Sequence, residues 1–520
     1  MNCPLRLCAA VQMTCIGRFR VQRGMNPLNL NYTAALLVLQ ITSWNMFSVS
    51  RTIFQAPVLG RFPTLYKFPH HSRRLIAMSN SQTITFKNED ASHMAFSVPD
   101  ISQEQADAVS NLLTENHKRF HIFFNDRSFH NHIAHHLVTI YGLGATPADM
   151  QKAFDGNTSY QRRLKPVDEK VTEEFTDLDT FKSNLGQGSA YGSFLAYFTS
   201  ELEAHGTEKV LDKYLFARTP LADDMLGRLF AGLQHPLIHL GFALESQSVL
   251  LMAEALAMTA VHGNFLLPYF LQTEKAAADR QTGTPKTLLR MIEDAYADKS
   301  LLSHARKEGF RICEEFMTPE ALPKMVALAS QYRIDSSNPS PLNSVRTAVA
   351  EQMSTLAHVT TAIHRSDKKI KLDFFFIHPT NASVFLPLIL ESPLIKPAAI
   401  QRLVEWKARG DVLMYAHLWC PKLRPEGVRS FTPPAEHQTW DAIFRYVRSV
   451  DDDGHLPKLI RALAAGERFC KPYEKEQWCM VKGDQWRNMA ALAVDSMNHG
   501  PHWIRKAGDD AAWESVPARM

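Results

Sequence analysis

From about Ser102 onward the chain repeats one pattern: apolar residues return every three to four positions, a period that a strand cannot use. Ser102-Gln103-Glu104-Gln105 has capping-box form, and Thr146-Pro147 places a cap before a proline at the first helical position. Long periodic stretches run at about 222–262, 343–365, 397–418 and 483–498, whereas the alternation expected of strands is scarce. The expectation is an all-α body, a large multi-helix bundle-like domain or two closely packed helical halves. The best internal linker is Arg333 to Ser344, and Pro421 to His437 is the next. No repeat of fixed period is evident, which argues against a solenoid. With 520 residues and a hydrophobic fraction of 45%, the chain has ample material for a large core.

The net charge of +4 conceals an asymmetry. No Asp or Glu precedes Glu89, while residues 1–88 carry ten Lys or Arg, so that segment is +10 and the remainder −6. Residues 1–77 read as a basic leader, either disordered or outside the native protein, with Met78 as an alternative start, and residues 78–520 read as the helical body. An Arg-rich, acid-free leader also resembles a mitochondrial transit sequence, so the expected compartment is cytoplasmic, with mitochondrial as the alternative. The apolar stretch from Thr33 to Phe47 is too short and too polar to span a bilayer. The basic charges are dispersed, so neither a nucleic acid nor a membrane is an expected partner. Cys313, Cys420, Cys470 and Cys479 are widely spaced with no C-x-x-C, which argues against zinc-finger, c-type haem and disulfide-scaffold readings.

The chemistry is concentrated in histidine. Phe129-His130-Asn131-His132-Ile133-Ala134-His135-His136 runs into the apolar stretch Leu137 to Tyr141. Histidine binds transition metals and moves protons near neutral pH. If the segment is helical, His132 and His136 lie one turn apart and can reach one metal ion, whereas His135 projects away. The alternative is that buried histidines merely satisfy hydrogen bonds. Gln234-His235-Pro236-Leu237-Ile238-His239 offers a second such pair, His235 and His239, with Pro236 expected to kink the backbone. His262, His378 and His417 each close an apolar run. Lys407 lies inside the apolar stripe Ala399, Leu403, Trp406, Gly410 and Met414; such a lysine must lose its charge, find a partner, reach the surface or be modified, for example to a metal-binding carbamate.

Several segments carry a family resemblance. Phe124-Asn125-Asp126, His130-Asn131-His132, Leu143-Gly144-Ala145-Thr146-Pro147 and Tyr160-Gln161-Arg162 resemble the opening signature of the fungal questin oxidase-like family. His235 to Gly241 with Glu254-Ala255-Leu256-Ala257, Glu405-Trp406-Lys407, and His502-Trp503-Ile504-Arg505 are similar to its later signatures. The resemblance implies an oxidoreductase of polyketide secondary metabolism that uses dioxygen to open an anthraquinone ring in Baeyer-Villiger fashion. It also implies NADPH as a reductant and admits a non-haem iron held by histidines and a carboxylated lysine. Spacing, and not the resemblance, selects His132, His136, His235 and His239 as metal ligands, with Lys407 the candidate carbamate. His132, His262 and His378 are the candidates for catalytic roles.

A flavin is not expected. Gly186-Gln187-Gly188-Ser189-Ala190-Tyr191 has Tyr where the third glycine of a dinucleotide fingerprint belongs, and Phe230-Ala231-Gly232-Leu233-Gln234-His235 is one residue short of the fingerprint of flavin Baeyer-Villiger enzymes. The leading expectation is therefore a helical oxygenase in which Fe(II) activates dioxygen beside a planar aromatic substrate, with Phe374, Phe375, Trp406 and Trp486 as candidate pocket walls. A zinc-dependent lactone or ester hydrolase and a non-catalytic helical binding protein are the alternatives.

Overall fold

The expected capping signals start real helices. In the computed structural model, which describes residues 82–519 apart from 281–282, 306–310 and 336–340, α1 (Gln103–Arg119) begins where the Ser102 side chain accepts from the Gln105 N–H while the Gln105 amide reaches back to Ser102. Thr146 likewise accepts from the Asp149 N–H ahead of Pro147. The basic leader and the alternative start at Met78 lie outside the described residues.

Nine further helices position the site. These are α2 (Ile133–Gly142), α3 (Tyr191–His205), α4 (Ala231–Ser246), α5 (Val249–Val261), α6 (Pro341–Ala362), α7 (Ile377–Ser383), α8 (Pro397–His417), α9 (His455–Cys470) and α10 (Gln485–Ser496). Among the described residues there is no strand, only isolated bridges such as Phe123 with His130, so the fold is all-α. The region 222–262, periodic throughout, is broken into three helices, because Phe230 to Gln234 and Gln247-Ser248 interrupt it.

Layering follows from which faces are apolar. α5 is buried along nearly its whole length and lies between α3 and α4, while α4 also meets α2 and α7. α9 packs on α2, α6, α7 and α10. α2, α4, α7 and α9 therefore converge, and the described residues pack as one unit around them. The linker reading of 333–344 is shortened by α6, which starts at Pro341, a proline placed where its missing N–H costs no helical hydrogen bond.

Neither glycine-rich segment has the setting a dinucleotide fingerprint needs. Gly188–Ala190 is a short 3-10 turn leading into α3, and Gly232 sits at a left-handed corner within α4; neither follows a strand. Among the described residues no helix is long and apolar enough to cross a membrane.

Candidate metal centre

The backbone at the head of α4 is the most unusual in the site. Gly232, Leu233 and Gln234 all adopt left-handed dihedrals, with φ of 53, 60 and 61°. Two consecutive non-glycine residues in that region store strain that surrounding structure must hold. A Cβ on Gly232 would fall 2.7 Å from His262 Nε2 and 3.0 Å from His130 Cε1, so only glycine fits. Pro236 thus stands in the first turn of the regular helix, after the corner, and not in its interior. The corner carries His235 inward and lets its Nδ1 donate to the Gly232 carbonyl at 2.5 Å.

His130 and His132 precede α2: His130 pairs with Phe123 in a bridge and His132 is the helix N-cap. Helical spacing therefore does not govern them. His132 turns to Asp453, donating from Nδ1 to Oδ2 at 2.8 Å, and its Nε2 stands 2.7 Å from His235 Nε2. At the start of α9, His455 Nδ1 donates to the other oxygen of Asp453. At the start of α7, His378 Nδ1 donates to the Phe374 carbonyl at 2.7 Å.

Four imidazoles are thereby fixed in one way. His132, His235, His378 and His455 each commit Nδ1–H to an oxygen that can only accept, so in the neutral ring the lone pair lies on Nε2. Nε2 of His378 and of His455 are buried without a hydrogen-bond partner. Ligand atoms of His235, His378 and His455 lie within 4.8 Å of one another, as do those of His132, Asp453 and His455, and of His130, His132 and His235. Nδ1–H anchored on a carboxylate or carbonyl with Nε2 free is the arrangement of metal-binding histidine, and an all-imidazole set suits zinc, copper, iron or nickel. The buried histidine cluster can hold a metal.

Electrostatics agree. Burial drives His132 down to about 3, assisted by Lys458 and opposed by Asp453. Burial likewise holds His235 and His378 well below the usual histidine range. For Asp453, 37% exposed in its side chain, burial opposes ionisation, but His455 and His132 outweigh it and hold the carboxyl well below its ordinary value. Lys458, one turn beyond His455, is pushed down to about 8 by burial, and its Nζ is buried with no hydrogen-bond partner.

The other expected residues are distributed around this centre. His262 accepts from His130 across 2.8 Å between Nε2 atoms, because its own Nδ1 donates to the Met258 carbonyl. His130 stacks on His235 at 3.8 Å between ring centroids. His136 belongs to none of the three ligand groups; it lies under Gly454, where a Cβ would meet its own at 2.8 Å, and so backs the turn that presents Asp453 and His455. His239 points away from His235 and bonds His135 and Glu254. Lys407 is fully buried and donates to Asp411 at 2.6 Å and to the Pro379 carbonyl at 3.0 Å. Asp411 also accepts from Gln234 at 2.9 Å. The Lys407–Asp411 pair thus braces the residues next to His378 and His235 from behind.

Among the candidate walls, Phe374 packs on His378 and His455 at 5.1 and 4.7 Å, and Phe375 lies against His417. Trp406 stacks on Phe270, and Trp486 is buried against Gly466, both within the core. A cleft of about 320 Å³ lined by Arg365, Trp419, Cys420 and Trp513 shares no residue with the histidine centre. Spacing arguments missed Asp453, His455 and Lys458. The run Asp451-Asp452-Asp453-Gly454-His455 ahead of an apolar helix was the available signal, a carboxylate two residues from a histidine at a glycine turn.

Comparison with known proteins places these residues in context. The family model described as questin oxidase-like matches residues 129–463, which contain every histidine of the centre. A questin oxidase of Aspergillus terreus is 35% identical over 421 residues, 79% of this chain and 92% of that protein. A Baeyer-Villiger oxidase of Pestalotiopsis microspora is 32% identical over 436 residues, covering 81% of this chain and 96% of its own length. A second questin oxidase, from Aspergillus fumigatus, is 32% identical over 424 residues, 79% of this chain and 94% of that protein.

Proposed function

The chain belongs to the questin oxidase-like family and is an oxidoreductase, and from that premise we propose that it uses dioxygen for Baeyer-Villiger-type opening of an anthraquinone-like polyketide ring at the four-histidine centre. The carrying observation is the convergence of four imidazoles anchored at Nδ1, two of them with unpartnered buried Nε2 atoms. His132, His235, His378 and His455 would hold the metal, for which iron(II) is the proposed identity. When bound, iron supplies dioxygen activation and Lewis acidity.

The chain's own residues supply the rest. Asp453 fixes two rings and places a negative charge beside a cation site. Phe374, against His378 and His455, offers an aromatic face to a planar substrate. Lys458 carries unspent N–H donors beside the centre, suited to a carbonyl oxygen that becomes negative as the carbon is attacked. Inserting one oxygen atom of dioxygen into a ketone reduces the other to water and consumes two electrons and two protons. NADPH is the proposed external donor of the electron pair, and no flavin is invoked.

The test is elemental analysis of the purified protein beside His378→Ala and His455→Ala, with turnover of a hydroxyanthraquinone under isotopically labelled dioxygen. Stoichiometric iron lost in both variants, and one labelled oxygen in the ring-opened product, support the reading. Full conversion without dioxygen overturns the oxygenase, and undiminished turnover by metal-free protein overturns the metal assignment.

A further inference from the structure

Away from the histidine centre, three segments wall the cleft of about 320 Å³. One follows the end of α6 and carries Arg365, one follows α8 and runs from Trp419 to Arg424, and one carries Ala507, Gly508 and Trp513. Backbone contacts tie them together. Ile363 pairs with Leu423 in an isolated bridge, the Arg424 N–H donates to the Ala362 carbonyl at 2.8 Å, and the Gly508 N–H donates to the Leu418 carbonyl at 2.8 Å. A Cβ on Gly508 would fall 2.5 Å from the Leu418 oxygen and 2.6 Å from that of Trp419, so the third segment closes on the second only because glycine stands there.

The wall so formed is strained. Trp419 and Cys420 are consecutive non-glycine residues with φ of 67 and 44°, and Lys506, next to Ala507, has φ of 58°. Among the described residues one other place sets two such residues in succession, Leu233-Gln234 at the histidine centre. Strain of this kind persists where surrounding structure over-determines a surface, and ligand clamps are a common place for it. Here the Tyr415 hydroxyl holds the Pro421 carbonyl at 2.5 Å, and the Lys506 ammonium lies 5.7 Å from the centroid of the Trp419 ring.

Charge selects the ligand. Arg365, Lys422 and Arg424 line the cleft against one carboxylate, Asp510. Asp510 pairs with Arg365, but its side chain is 92% exposed, so water screens the pair and little is lost when Arg365 changes partner. Of the three cations, Arg365 alone has an ion-pair partner among the described residues. Arg424 is anchored through Nη1 on the His364 carbonyl at 2.7 Å, which leaves its other N–H groups for a ligand. Two uncompensated cations beside a weakly held third suit a multiply charged anion, and guanidinium matches phosphate with parallel hydrogen bonds. The indole of Trp419 adds an aromatic surface on which a base can stack.

We propose that this cleft is a nucleotide-binding site, with the phosphates held by Lys422, Arg424 and Arg365 and the base on Trp419. It shares no residue with the histidine centre and stands whatever chemistry that centre performs.

The test is calorimetric titration of the full-length protein with ADP, inorganic phosphate and a hydroxyanthraquinone. ADP is expected to bind at one site per chain and more tightly than phosphate, because phosphate alone forgoes the stacking. Lys422→Ala and Arg424→Ala should each weaken ADP by about 10-fold or more, and affinities within about twofold of wild type in both would overturn the site. Lys422 is exposed, so its replacement leaves the fold intact and reports on binding alone. His378→Ala should bind ADP like wild type even where it loses metal; loss of ADP binding together with metal would place the nucleotide at the centre and overturn the proposal. Phosphate binding as tightly as ADP would remove the base from the site, and displacement of ADP by the hydroxyanthraquinone would give the cleft to an aromatic substrate instead.

Discussion

Nε2 of His132 and Nε2 of His235 stand 2.7 Å apart, and neither can donate to the other while both rings are neutral, because each has placed its proton on Nδ1. Two lone pairs at that separation repel. A cation or a shared proton between them relieves the repulsion, and burial works against the proton. The geometry can therefore hold a metal, as proposed, and it can be probed from the anchors as well as from the ligands.

Asp453→Asn keeps the shape of the side chain but removes the charge that orients His132 and His455. Metal affinity is expected to fall by about 10–100-fold, read by competition titration against a chelator. An affinity equal to wild type would separate Asp453 from the centre.

Acid should unfold the metal-free protein early. Burial lowers His132 to about 3 and His136 and His262 to about 4, so the unfolded chain takes up protons that the folded one refuses. The neutral rings contribute stability that is complete above about 6.5 and is lost as pH falls towards the folded values, up to about 1.4 kcal/mol per pH unit per histidine. Urea midpoints measured from pH 7.5 to 4.5 should fall steeply below 6.5, and a flat profile would contradict neutral buried histidines.

Gly232→Ala forces a side chain into a left-handed corner already closed by His262 and His130. A loss of about 1–3 kcal/mol in stability is expected, together with loss of turnover, since the corner aims His235. Retained metal binding in a stable Gly232→Ala protein would show the corner to be adaptable.

Lys407→Met strands Asp411 as a fully buried carboxylate, expected to cost about 3–5 kcal/mol. Adding Asp411→Leu should recover most of that stability, read by chemical denaturation, while metal affinity stays reduced because the Gln234 tether is gone. Recovery of both would leave the pair a purely structural element.

Lys458→Met removes a buried amine that has no hydrogen-bond partner. Thermal stability should be unchanged or higher, while turnover falls, and the wild-type rate should decline as pH rises through about 8, where the amine loses its charge. Loss of stability without loss of rate would assign the residue to the fold.

Local and long-range features differ in how far the sequence reveals them. Helix starts at Ser102 and Thr146 were legible because a cap is a local hydrogen bond between residues three apart. The helix through Lys407 was legible from its stripe, but whether the lysine reached the surface or stayed inside on a partner was not; it is fully buried against Asp411. Two of the spacing-derived ligands, His132 and His235, do meet, but each meets a residue about a hundred positions away and not the histidine one turn along. His136 and His239 keep helical spacing from them and face elsewhere, because His132 ends a non-helical segment and His235 follows a left-handed corner.

The sequence by itself determined that this chain is helical and rich in buried histidine, since period and side-chain chemistry are properties of neighbouring residues. Only the tertiary structure decided which nitrogen of each ring is free. That choice depends on which oxygen each Nδ1 reaches, and for His132 the oxygen belongs to Asp453, 321 positions along the chain. A lone pair's direction is set by packing between helices, which no local pattern encodes.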